Sequence, residues 1–234
     1  MRHPATIRFI ILLILVIAGL IGLSQPNQPM VWMEASQQTR FNPTFSTSFL
    51  FQRRVFLKNQ PTYQHVYWMD GSFKLGENVM MGGGIIYVGY YRHLDEYYKT
   101  VPEVRPFQFF TLHGQISGAK LSFRTMLEQR FTCRTAGDDI VPVKAFSSRY
   151  RFRLRGCVPV VQRMELELSN ELLLNGLSHE KDRLDQYRMI ARLRFSLSHW
   201  VLTGGYMHWV VKTEQGRALR PSLLVCLQHR LQQG

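Results

Sequence analysis

Past residue 24 the chain has no apolar run long enough to cross a membrane as a helix. A spanning helix needs about 20 apolar residues, so a helical membrane protein is excluded. A β-barrel is not excluded, because barrel strands carry only a weak alternating signal. Cysteine is scarce, with only Cys133, Cys157 and Cys226 in 234 residues. An odd, scattered set builds no disulfide framework, and no C-x-x-C spacing exists for zinc or thiol-redox work. Cys133 and Cys157 fall at opposite ends of neighbouring candidate strands, which argues against their pairing. The eight histidines show no H-x-H or H-x-x-x-H spacing for a metal. Gly82-Gly83-Gly84 lacks the lysine of a phosphate loop and lies inside a strand pattern, where it reads as a bend or a close-packing site. No metal or cofactor is therefore expected. Acid is scarce too: 16 Asp and Glu against 29 Lys and Arg leave a net charge of +13. So basic a chain could suggest nucleic acid. Its arginines, however, alternate with lipid-like residues instead of clustering on a polar surface. The excess is better placed in a lumen or against anionic lipid headgroups, and no nucleic-acid partner is expected.

What is present begins with a leader. Arg2 and Arg8 precede an unbroken apolar run from Phe9 to Leu23, which ends at Ser24-Gln25-Pro26. This reads as a secretory signal peptide over residues 1–24, with an uncleaved anchor as the other reading and no A-x-A cleavage pattern. Export through the inner membrane is implied either way. Residues 25–43 form an N-terminal extension or a first strand, and 44–234 form one barrel domain.

The most informative stretch is 146–175. Arg149, Arg151, Arg153 and Arg155 alternate with Tyr150, Phe152 and Leu154, then Glu165, Glu167, Ser169 and Glu171 alternate with Leu166, Leu168 and Leu172. Alternate residues of a strand face opposite sides. Folded about Val160, the two strands set Arg155 opposite Glu165, Arg153 opposite Glu167 and Arg149 opposite Glu171. An apolar exterior around a charged interior is the pattern of a membrane-spanning barrel.

Ten candidate strands follow from the same alternation: 44–57, 63–74, 79–91, 105–116, 119–132, 146–158, 162–175, 185–198, 200–212 and 221–231. The segment from Met30 to Phe41 is also strand-like, but eleven is an odd count, and it is left as an extension or a break in the first strand. The expected fold is an all-β, antiparallel up-and-down transmembrane barrel of about ten strands, with twelve possible. Tight links at 75–78, 117–118, 159–161 and 199 alternate with long polar ones at 92–104, 133–145, 176–184 and 213–220. Short periplasmic turns and longer outer loops are the bacterial pattern, which puts the C-terminus in the periplasm. In the penultimate pair, Arg188, Arg192, Arg194, Ser196 and Ser198 share the inner face. Tyr187 and Met189 would then neighbour Val211 and Trp209 in an outer aromatic girdle, and Arg192 would face Tyr206. An arginine facing lipid near the midplane costs about 2–4 kcal/mol, so a membrane location forces the arginines inward.

The motifs Arg124-Thr-Met-Leu-Glu128-Gln-Arg130-Phe131, Arg149-x-Arg151-x-Arg153, Glu171, Asp185-Gln186-x-Arg188 and Gly205-Tyr206-Met207 occur in that order. With the upstream Arg105-Pro106-Phe107-Gln108 and Trp32, this resembles the bacterial family catalogued as domain of unknown function 2490, over roughly residues 30–231. The resemblance implies an outer-membrane barrel of a Gram-negative bacterium and no established activity. The chain departs from outer-membrane barrels in general by ending Leu231-Gln-Gln-Gly234 in place of an aromatic residue that the barrel-assembly machinery reads.

The candidate site is the inward charge network: Arg124, Glu128, Arg130, Arg149, Arg151, Arg153, Arg155, Glu165, Glu167, Glu171, Arg188, Arg192 and Arg194. A barrel of this size has an interior barely wider than its side chains, so interlocked ion pairs filling the lumen give a structural or interaction barrel. The excess of arginine over acid supports a second reading, a narrow anion-selective channel or a site for anionic solutes. A wide porin needs 16–18 strands. A lipid-modifying enzyme needs Ser or Asp, His and an acid near one rim; His113, Ser122, Ser169 and His208 are present without a linking spacing, so the chain is not expected to be an enzyme. A soluble lipocalin-like barrel would require Phe152 and Leu154 to point inward. Expected partners are outer-membrane lipid including lipopolysaccharide, whose bridging divalent ions the loop pair Asp138-Asp139 could touch, and the assembly machinery during biogenesis.

Overall fold

The computed structural model describes residues 29–57, 62–94, 97–136, 139–176, 183–213 and 216–232. The expected leader, residues 1–24, lies outside the described residues. Eleven strands follow in chain order: β1 (Met30–Arg40), β2 (Phe45–Phe56), β3 (Thr62–Lys74), β4 (Val79–Leu94), β5 (Tyr97–Ile116), β6 (Ala119–Ala136), β7 (Asp139–Val161), β8 (Met164–Asn175), β9 (Leu184–Leu197), β10 (Trp200–Thr213) and β11 (Gly216–Gln232). Each pairs antiparallel with the next. β1 then pairs parallel with β11, from Met30 opposite Ser222 to Arg40 opposite Gln232, and the barrel closes. The expected ten strands are therefore corrected to eleven, and the Met30 segment is a full strand. What a bilayer demands is that every backbone donor and acceptor be paired. A parallel seam meets that demand with pairing only slightly weaker per residue, so an odd count is allowed.

The apolar faces point outward. Tyr150 is 45% and Leu154 55% exposed, and Phe110, Phe123, Phe195, Leu202, Leu223 and Val225 continue the belt around the barrel. On β7 the arginines between them turn inward, and Arg149 is 1% exposed. This sense of alternation rules out the soluble lipocalin-like reading.

One end of the barrel carries the tight turns. Ser117-Gly118 has φ of 47° and 82°, the two positive values of a type I′ hairpin that matches strand twist. Gln162-Arg163 and Ser198-His199 are two-residue turns at the same end. At the other end the described residues of the expected long loops at 92–104 and 133–145 are instead strand. Leu94 pairs with Tyr97 and Ala136 with Asp139, so β4–β5 and β6–β7 rise as ribbons beyond their neighbours. The expected loop 213–220 is likewise closed by Thr213 opposite Gly216. Ladder hydrogen bonds do not require an apolar face, and polar residues outside a membrane continue the pairing.

Two registers differ from the expected ones. β7 turns into β8 at Gln162-Arg163, with an irregularity between Pro159 and Val161, so Arg153 faces Glu171, Arg155 faces Ser169 and Arg149 faces Asn175. The displacement is four residues, an even number, and every side chain keeps its face. β9 turns into β10 over two residues where one had been expected. A single-residue offset moves a strand's whole side-chain set to the opposite face. Trp209 and Val211 therefore point into the lumen and Tyr206 outward, and Arg192 faces Gly205 in place of Tyr206. Gly205 has a steric reason: a Cβ there would lie 2.8 Å from Arg192 Cγ. The Gly82 position is also a close-packing site, where a Cβ would fall 2.6 Å from Phe109 Cζ.

Candidate functional site

All thirteen residues of the expected network lie on the lumen faces of β6, β7, β8 and β9. They divide into a tight half toward the ribbon end and a loose half toward the tight-turn end. At the centre of the tight half is Glu128, 0% exposed. Its Oε2 accepts from Arg149 Nε at 2.9 Å and Nη2 at 2.5 Å, and its Oε1 accepts from Arg151 Nη1 at 2.6 Å. Arg105 Nη1 lies 3.9 Å away. Glu171 Oε1 accepts from Arg151 Nε and Nη2, and its Oε2 from Arg188 Nη1 at 3.0 Å. Arg149 reaches on to Asp185 at 2.9 Å. Glu103 joins from β5, accepting from Arg105 Nε at 2.7 Å and Arg130 Nε at 2.6 Å. Charged groups bonded at such distances in a desolvated lumen hold one another ionised, because a lone buried charge is costly.

The loose half is different. Glu167 has Arg155, Arg192 and Arg194 around it at 3.9, 3.8 and 3.7 Å. Glu165 has Lys120 at 3.0 Å and Arg194 at 3.4 Å. Arg124 donates from Nε to Thr111 Oγ1 at 2.9 Å and lies over the Phe109 ring at 4.4 Å. Arg153, expected to pair with Glu167, has no ion pair among the described residues. The Glu171 carboxylate opposite it is taken by Arg151 and Arg188.

Apolar side chains fill what the ions do not. Trp32, Trp209, Met30, Phe56, Met207, Val211 and Leu224 form one buried cluster toward the ribbon end. Trp32 and Trp209 meet edge to face at 5.2 Å, and Arg54 stacks over Trp32 at 3.7 Å. Phe107, Phe109, Ile86, Val88, Val66 and Met126 form a second cluster on β3–β6. At the tight-turn end a cavity of about 580 Å³ opens, with Ser46, Ser72, Lys74, His113 and Arg230 among its walls.

Glu103, Asp185 and Arg105 were not in the expected network. Glu103 fell in a segment read as loop, although Glu103-x-Arg105 already has the period of a strand. Of the four singletons weighed for catalysis, His113 and Ser122 are cross-strand partners. The group beside them is Arg155, which donates to Ser122 Oγ at 3.2 Å, so the third position holds a cation where an acid is needed. His208 faces outward and Ser169 lies on β8, opposite Arg155. Asp138 lies outside the described residues.

With this lumen in view, the comparison with protein families is decisive: residues 30–220 match the family described as protein of unknown function (DUF2490). The chain belongs to the DUF2490 family. No curated protein and no solved structure matches it. This DUF2490 protein is an outer-membrane β-barrel whose lumen is lined by a buried Arg/Glu salt-bridge network.

Proposed function

We propose that this DUF2490 protein is a non-conducting outer-membrane barrel with a structural or interaction role and no catalysis of its own. The observation that carries the reading is the filled bore. Glu128 and its arginines occupy one side, while Trp209, Met207, Phe107 and Ile86, each at most 1% exposed, occupy the rest. A barrel a few strands larger than the eight whose interior side chains just fill leaves no continuous water path when its inward residues are this large. In this reading the leader exports the chain, the assembly machinery inserts it, and lipopolysaccharide surrounds the ribbon end. The tight turns face the periplasm, following the bacterial pattern. The odd count then starts β1 on the outer side.

The surplus of arginine favours one competing reading, a narrow anion channel. Planar-bilayer recording of the purified barrel separates the two. No steady current above the lipid baseline is expected at low salt. A steady anion-selective current would overturn the closed lumen and establish the channel.

A further inference from the structure

The two halves of the charge network are unequal in a way that folding alone does not explain. In the tight half Arg105, Arg130, Arg149, Arg151 and Arg188 meet four carboxylates, from Glu103, Glu128, Glu171 and Asp185. In the loose half Lys120, Arg124, Arg153, Arg155, Arg192 and Arg194 share two, Glu165 and Glu167. Arg124 and Arg153 are direct cross-strand partners. Like charges in that position destabilise a sheet, and neither has a carboxylate within ion-pair distance among the described residues. Two further inward acids are held by neutral donors and lie beyond ion-pair distance of both arginines: Asp70 Oδ2 accepts from Ser48 Oγ and Trp68 Nε1, both at 2.6 Å, and Glu34 Oε2 accepts from Gln52 Nε2 at 3.1 Å. Arg192 Nε is buried without an acceptor.

Space adjoins these groups. The 580 Å³ cavity is walled by His113. Across the sheet from His113 come Ser122 and Arg155 in one row, and Thr111, Arg124 and Arg153 in the next row inward. A void of about 10 Å³, about the size of one water, lies between Arg124, Arg153, Arg151, Trp68, Met126 and Glu171, and the Glu171 carboxylate there is already held by Arg151 and Arg188. The cavity mouth carries Arg40, Lys74 and Arg230 with Glu77, and the three arginines stand beside and inward of its His113 wall.

We propose that Arg124, Arg153 and Arg155 form a binding site for a phosphate-bearing anion that enters from the tight-turn end. Guanidinium forks suit phosphate oxygens, which accept two parallel N–H bonds from each arginine. A phosphate between Arg124 and Arg153 replaces a like-charge repulsion with two charge-assisted contacts. The phosphate belongs either to a free solute or to a lipid headgroup. The site requires the folded barrel but not a sealed one, so the conductance result does not decide it.

The test is titration calorimetry on the full-length folded protein in zwitterionic detergent at low salt, with inorganic pyrophosphate in one arm and dihexanoyl phosphatidic acid below its micelle concentration in the other. One saturable site per barrel is expected. Arg124→Gln and Arg153→Gln should each weaken it at least tenfold, and Lys120→Gln, at the rim, no more than about twofold. Binding in the pyrophosphate arm assigns the site to free solutes, and binding in the phosphatidic acid arm alone assigns it to lipid. In heat-modified gel migration without anion, Arg153→Gln should unfold at or above the wild-type temperature, because it relieves the repulsion with Arg124. Pyrophosphate or phosphatidic acid should raise the wild-type midpoint, a readout that stands even if a variant fails to fold. Absence of saturable binding in both arms, or binding that both arginine variants retain, would overturn the proposal.

Discussion

Glu128→Ala is expected to cost the barrel about 3–5 kcal/mol, the range for removing one partner of a buried ion pair. The carboxylate accepts three hydrogen bonds from two arginines with no exposure to water. Without it Arg149, itself 1% exposed, keeps only Asp185, and Arg151 keeps only Glu171. Two guanidiniums then face each other across a space that holds too little water to screen them. Glu128→Gln should fall between, since the amide oxygen still accepts one bond while its NH2 group opposes the arginines. Glu165→Ala is the control. That carboxylate lies near the rim, where its partner Lys120 is mostly exposed, and exposed pairs contribute at most about 1 kcal/mol. Urea unfolding from lipid vesicles, followed by tryptophan fluorescence, measures the three. Equal loss from Glu128→Ala and Glu165→Ala would mean that the network has no tight half.

Leu154→Arg should cost about 2–4 kcal/mol, the penalty for an arginine on the lipid face near the midplane. Leu154 is more than half exposed, on the outer face of β7 between Phe123 of β6 and Asn170 of β8. The adjacent Arg153→Leu should cost little in the same assay, because Arg153 has no ion pair to lose among the described residues and its neighbour Arg124 repels it. The order of the two effects carries the meaning. In a barrel with its apolar face inside, an arginine at 153 would be solvated, one at 154 would be buried in a hydrophobic core, and the exterior would tolerate Arg153→Leu poorly for solubility instead of stability. Insertion of Leu154→Arg into vesicles at wild-type yield and stability would contradict the lipid-facing assignment.

The facing of β7, β8 and β9 was legible in the sequence because alternation has a period of two, and any even error in register leaves it intact. The four-residue misplacement of β8 changed every named ion pair, Arg153 with Glu167 among them, yet kept each arginine in the lumen. An odd error has no such protection. Trp209 falls on the outer girdle only if the turn at Ser198-His199 is one residue shorter than it is. The turn itself holds the signal, since the commonest hairpin loops have two residues and a one-residue reversal is rare. β1 is visible as alternation, and the even-strand parity that argues against it is a rule of frequency with no force behind it. Glu103 was hidden for a related reason. Polar strand continuing past the membrane resembles loop in composition, and only its pairing with β4 and β6 identifies it. Pair geometry in the lumen lay beyond any sequence reading, because Glu128 chooses Arg149 and Arg151 through strand stagger around the whole barrel.

The central claim is that β7 divides lipid from lumen at every step. Nitroxide labels placed singly at 152, 153, 154 and 155, on a background with Cys133, Cys157 and Cys226 replaced, measure it directly by oxygen accessibility in vesicles. High accessibility at 152 and 154 with low values at 153 and 155 is the expected result. A reversed or flat profile across those four positions would contradict it.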